Sequence, residues 1–218
     1  LITIMIYKHP LMHNNFSKSD FSDVKKLLNQ TNPILTQSKK VEEFEKKWSK
    51  WLGVKYSTFV SSGSSANYIS ISILKVLNKN KYKNEIIVPT LTWISDISSI
   101  LLNGFKPIFV DINLENLSMD IDQVLKKINK KTLGIFITHA QGFNGLNDKL
   151  LKAVNKNKLY LIEDVCESHG ATYKNKKLGT FGLMSNFSFY YAHHMTTIEG
   201  GMISTNNKEI YELSKIFR

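Results

Sequence analysis

The chain has 218 residues, 42% hydrophobic, 22% charged and 11% aromatic. That suits one large globular domain, or one and a piece of another, and excludes disordered and collagen-like chains. The net charge is +11, but Arg218 is the only arginine and the lysines are scattered, as at Lys25, Lys46, Lys79, Lys106 and Lys174; nucleic-acid surfaces favour arginine forks, so no nucleic-acid partner is expected.

In chain order, the opening run "LITIMIYKHPLM" is apolar but broken by Lys8 and Pro10. It is too short for a membrane span and lacks signal features, so no membrane association is expected. After this irregular start, Val41, Phe44, Trp48 and Leu52 repeat at helical spacing. "YSTFVSS" reads as a strand and "GSS" as a turn. Ile69, Ile73, Val76 and Leu77 form the next helical stripe. "EIIVP" is a strand ending at Pro89, and "WISDISSILLNG" is a helix closed by Gly104. "PIFVDI" is a strand. "MDIDQVLKKI" is a helix carrying Met119, Val124, Leu125 and Ile128. "LGIFIT", "LNDKLLKAV" and "LYLIED" continue as strand, helix and strand. "MISTN" is a last strand, followed by the helical pattern "EIYELSKIFR". The chain does not begin with Met and stops at Arg218 inside that pattern, so it reads as a fragment. The alternation predicts an α/β domain with a mainly parallel sheet.

Ligands in such sheets bind at the carboxyl ends of the strands. Four strand ends offer chemistry. In "SSGSSAN", Gly63 permits a tight turn, and Ser64 and Ser65 open a helix, where free N–H groups and hydroxyls suit an anion. A plain serine cap fits the same pattern. Trp93 follows the strand ending at Pro89, either to stack on a planar ligand or to fill the core. Glu163 and Asp164 close an apolar strand, where a carboxylate can pair with a cation in the cleft or cap a helix. Glu167 and His169 follow closely. In "SNFSFYYAHHMTTIEGGM", Ser188 precedes His193 and His194, and Glu199-Gly200-Gly201 turns into a strand. Adjacent histidines point in different directions, and no HExxH motif or carboxylate cluster accompanies them, so no metal is expected. One cysteine, Cys166, permits neither a disulfide nor a multi-cysteine metal site, and fits a reducing, cytoplasmic setting.

Together these pieces resemble the DegT/DnrJ/EryC1/StrS family. The resemblance runs from about Phe21 to the end, through "FEKKWSKWLGVKYSTFVSSGSSAN", "EIIVPTLTW", "GFKPIFVDI", "LIEDVCESHGATYKNKKLGTFG" and "FSFYYAHHMTTIEGGM". It implies a three-layer α/β/α fold of the aspartate-aminotransferase type, with pyridoxal 5'-phosphate or pyridoxamine 5'-phosphate as cofactor. Residues 1–30 then form an N-terminal segment and 31–218 the cofactor-binding large domain, with a smaller C-terminal domain missing. Gly63, Ser64 and Ser65 match the loop for the cofactor phosphate, and Ser188 a serine that reaches it. Trp93 matches the aromatic ring stacked on the pyridine, and Asp164 the aspartate paired with the ring nitrogen. Glu167 matches the position near the ring oxygen. "NPILTQSKK" is placed along the substrate cleft.

One position departs. Family aminotransferases carry a lysine five residues after that serine, and here the residue is His193. Imidazole is not a primary amine and cannot hold the cofactor aldehyde covalently, but it can move protons. The substitution resembles the family's 3-dehydratases of nucleotide-linked 4-keto-6-deoxy sugars. One type uses an iron–sulfur cluster, and one cysteine cannot ligate a cluster. The cluster-free type, on a GDP-linked sugar, is therefore expected. The resemblance further implies glutamate as amino donor, a homodimer, and a place in deoxysugar and lipopolysaccharide biosynthesis. The competing readings are an aminotransferase using another base or lysine, and an inactive relative.

Overall fold

The computed structural model describes residues 14–218; the opening apolar run lies outside them. A seven-stranded sheet has the order β1 (Tyr56–Val60), β9 (Gly201–Thr205), β8 (Met184–Ser188), β5 (Tyr160–Asp164), β4 (Thr132–Thr138), β2 (Glu85–Pro89), β3 (Lys106–Val110). β3, β2, β4, β5 and β8 pair in parallel, and β9 runs antiparallel to both β8 and β1. Only β9 opposes the rest, so the expected mainly parallel sheet is what forms.

The strands are apolar on both faces because helices cover both. On β2, Ile86 and Val88 enter one core cluster while Ile87 enters the other. This period-2 division of a continuous apolar run is what a central parallel strand requires. One core joins the sheet to α3 (Gly63–Leu77), α4 (Ile94–Leu102) and α7 (Lys208–Phe217). The other holds residues of α2 (Lys39–Leu52), α5 (Ile121–Lys127) and α6 (Asp148–Asn157). The result is the expected three-layer α/β/α sandwich. Each fully buried isoleucine or leucine stabilises it by about 1.5–3 kcal/mol.

Several local expectations need correction. The irregular start contains a helix, α1 (Lys18–Leu28), opened by a capping box between Ser17 and Asp20. None of its residues is buried, so no packed apolar stripe marks it. Met119 is not helical but bridges Ile112, because the helix begins only after its cap Asp120. α6 likewise begins after its cap Asn147. Val76 and Leu125, members of the expected helical stripes, are exposed at the margins of those stripes. "TYKNKK" forms an unforeseen hairpin, β6 (Thr172–Tyr173) with β7 (Lys176–Lys177), turned by Lys174 and Asn175 at positive φ. No helix among the described residues is long and apolar enough to cross a membrane.

Candidate active site

The carboxyl ends of β1, β2, β4, β5 and β8 lie along one edge of the sheet. β1 leads directly into α3. Ser62, two residues before the first of the anticipated serines, is the cap, and its Oγ accepts the Ser65 N–H at 3.0 Å. Gly63 and Ser64 follow it in the first turn, where α-helical N–H groups have no partner within the helix. The Ser65 hydroxyl lies 2.7 Å from that of Ser61. Gly63 is required by close approach: a Cβ there would sit 2.7 Å from Ser188 Cβ and 3.0 Å from Cys166 Sγ. The start of α3 is thereby pressed against the end of β8, where Ser188 is buried. The Gly200-Gly201 turn serves the same end. A Cβ on Gly201 would lie 2.2 Å from the Ser62 carbonyl oxygen.

Trp93 is 67% exposed, which eliminates the core alternative. It caps α4, and the next turn carries Asp96, which is fully buried. Asp164, also buried, ends β5. No helix follows it, so it is not a helix cap. Its Oδ1 accepts the Cys166 N–H at 2.9 Å and its Oδ2 accepts from Asn67 Nδ2 at 3.1 Å. No cation forms an ion pair with Asp164 among the described residues. Glu167 is half-buried and accepts the Gln141 N–H at 3.0 Å.

Glu163 points away from Asp164, as strand alternation demands. It accepts the N–H groups of Gly179, Phe181 and Gly182 at 2.6–2.8 Å and lies 3.2 Å from His139 Nε2. The Gly145 N–H donates to His139 Nδ1, so Nε2 carries the proton and donates to Glu163. Glu163 therefore anchors the 179–182 turn rather than meeting a cation in the cleft.

His193 is half-buried in the loop between β8 and β9, its N–H donating to the Tyr190 carbonyl at 3.0 Å. Burial lowers its pKa, and the nearby carboxylates of Glu167 and Asp164 oppose that shift. Behind it sits His169, packed edge-on to Trp48, Phe187 and Phe189, with its ring centroid 6.2 Å from that of His193 and 5.6 Å from that of His194. Both nitrogens of His169 are buried without a hydrogen-bond partner. Burial first, then the charges of His194 and His193, lower its pKa to about 3. His194 itself is exposed. Among the described residues, no group of three or more His, Cys, Asp or Glu side chains could hold a metal ion.

The fold thus brings the predicted residues to one edge and adds others that sequence reasoning missed: Asn67, Thr92, Asp96, Thr138 and His139. The one available signal was Asp96, the lone charge between Thr90 and Leu102. Beside the site, Leu35, Thr36 and Gln37 of the anticipated cleft segment line a cavity of about 750 Å³ with Ser61, Ser64 and Ser65.

Residues 15–218 match the model of the DegT/DnrJ/EryC1/StrS aminotransferase family. The chain belongs to this family. Within it, the chain is 34% identical over 207 residues to the GDP-4-keto-6-deoxy-D-mannose 3-dehydratase of Escherichia coli O55:H7, covering 94% of this chain and 53% of that protein. It is 35% identical over 179 residues to the GDP-perosamine synthase of Escherichia coli O157:H7, covering 82% and 48%. A crystal structure of a GDP-4-keto-6-deoxymannose-3-dehydratase with a trapped PLP-glutamate geminal diamine superposes with a TM-score of 0.89 at 33% identity, covering 95% of this chain and 54% of that one. This DegT-family chain spans about half the length of the curated relatives it matches.

Proposed function

We propose that this chain is the cofactor-binding part of a pyridoxal/pyridoxamine phosphate enzyme that removes the 3-hydroxyl of a nucleotide-linked 4-keto-6-deoxy sugar. The observation that carries the reading is His193. A half-buried histidine that burial keeps neutral stands, within the field of Glu167 and Asp164, where the family motif has its lysine.

The residues fit the cofactor. Asp164 is a buried carboxylate with no ion-pair partner among the described residues, which suits a protonated ring nitrogen. The first turn of α3 at Gly63 and Ser64, with the Ser65 and Ser188 hydroxyls, suits a phosphate. Trp93 offers an exposed aromatic face for a ring, and the Glu167 carboxylate lies within the field of His193. Bound as its amine form, the cofactor supplies a nucleophile for the sugar ketone and an electron-accepting ring. His193 carries the proton: neutral, it accepts one at a ring nitrogen, and as imidazolium it delivers one to the departing C3 hydroxyl oxygen. A lysine here would compete by holding the cofactor covalently.

Similarity to the relatives named above supports a GDP-linked substrate and glutamate as amino donor, and 32% identity over 189 residues to a lipopolysaccharide biosynthesis protein of Salmonella typhimurium supports a role in lipopolysaccharide sugar synthesis. Residues 31–218 form the cofactor-binding domain on this reading, and 1–30 an N-terminal segment, in which Phe16 contacts Tyr191 of the His193 loop. The lone half-buried cysteine supports a reducing, cytoplasmic setting. The exposed apolar run Leu91, Trp93, Ile94, Leu101 and Leu102 supports a homodimer.

The test supplies the protein with pyridoxal phosphate, glutamate and a GDP-linked 4-keto-6-deoxy sugar. Loss of the 3-hydroxyl is expected, with no borohydride-trapped cofactor at position 193. An amino sugar as product would establish amino transfer instead, and absence of turnover an inactive relative. His193→Lys is expected to create a trappable link and abolish dehydration.

A further inference from the structure

The floor of the cleft contains a carboxyl pair that the proposed mechanism leaves unused. Asp96 is fully buried in the first turn of α4. Its Oδ2 accepts from the hydroxyls of Thr92 and of Thr138, the latter at 2.9 Å. Its Oδ1 lies 2.5 Å from Asn67 Nδ2, the same nitrogen that reaches Asp164 Oδ2 at 3.1 Å. The two carboxyl groups are thus no farther apart than those two bonds laid end to end. Asn67 cannot turn away, because its Oδ1 accepts from Asn186 Nδ2, and Asn186 is held in turn by Ser70. Nor can the amide neutralise the pair: it has two hydrogens and a third neighbour, Ser95 Oγ at 3.0 Å. Among the described residues, the other titratable groups near the pair are the Cys166 thiol, itself pushed up by burial and by Asp164 and Asp96, with Glu167 and the His193 imidazole, which burial keeps neutral, farther up the cleft. No lysine, arginine or histidine pairs with either carboxyl among the described residues.

Two buried carboxylates this close, with no cation between them, cannot both ionise. We propose that Asp96 and Asp164 form a proton-sharing dyad in which Asp96 holds the proton and Asp164 presents a single negative charge to the cleft. Burial and the Asp164 charge both push the Asp96 pKa well above the ordinary carboxylate range. Asp96 is then a positioning residue: its hydroxyl and the Asn67 amide fix the orientation of Asp164. The consequence for the cofactor rests on the function proposed above. One negative charge matches one protonated ring nitrogen, where two would oppose each other.

The sign of the pH effect follows by linkage. The unfolded chain releases the Asp96 proton near pH 4, while the folded chain keeps it. Rising pH therefore favours unfolding by up to about tenfold per unit in the folded-to-unfolded ratio, until the raised pKa is passed. The experiment uses cofactor-free protein. At pH 7 an infrared carbonyl band of a protonated carboxylic acid is expected, and Asp96→Asn should remove it. Denaturant unfolding from pH 4 to 8 should show the parent losing stability relative to Asp96→Asn as pH rises. Should that variant not fold, Asp164→Asn serves: without its neighbour's charge, Asp96 should lose the band at lower pH than in the parent. No band in the parent, a band that survives Asp96→Asn, parallel unfolding curves, or an Asp164→Asn band titrating as in the parent would overturn the dyad. A failure to bind pyridoxal phosphate would overturn the functional reading alone, since no cofactor enters these measurements.

Discussion

His169 shows what one side chain can cost a fold. Its imidazole is buried among aromatic rings with neither nitrogen bonded. Folding therefore keeps it neutral down to about pH 3, while the unfolded chain protonates it near pH 6.5. Stability is full above pH 6.5 and is lost as pH falls toward 3, by up to about 1.4 kcal/mol per unit. His169→Phe should remove this acid loss, seen as a parent-minus-variant difference in denaturant unfolding that grows from pH 7 to pH 4. Asp96 acts in the opposite direction, and the two windows overlap between about pH 4 and 6.5. The parent's own profile can therefore look flat there, and only the single variants separate the two residues.

At the scale of elements, the site depends on how closely β9 and the start of α3 approach. Gly201 stands against the Ser62 carbonyl and the Gly63 N–H, both backbone atoms that cannot swing aside. Gly201→Ala should destabilise the protein by about 1–3 kcal/mol, as overpacking does, and should displace the anion-facing turn. Urea unfolding reads the first effect, and weakened phosphate-dependent cofactor binding the second. The motif "EGG" was visible as a turn. That Gly201 serves contact with a strand-to-helix turn far earlier in the chain could not be read locally.

At the scale of the molecule, α4 carries an apolar surface that the described residues do not cover. Ile94 is 67% and Leu102 72% exposed. On the proposed dimer, Ile94→Asp with Leu102→Asp should shift the protein to monomer in light scattering and weaken cofactor binding, because Trp93 adjoins the same surface. A monomeric parent would remove that reading without touching the fold, whose two cores lie within the chain.

The sequence by itself determined the layered architecture and the strand ends that matter. Strand and helix periodicity, turn glycines and the His193 departure are local or motif-borne signals. Only the tertiary structure decided which side each carboxylate serves and what surrounds it. Glu163 and Asp164 are adjacent in sequence but face opposite sides of the sheet. Asn67 meets Asp96 across 29 positions and Asp164 across 97. Burial and charge coupling arise from such distant meetings, so the proton-bearing pair beneath the cleft and the unbonded His169 behind it appear only once the sheet is assembled.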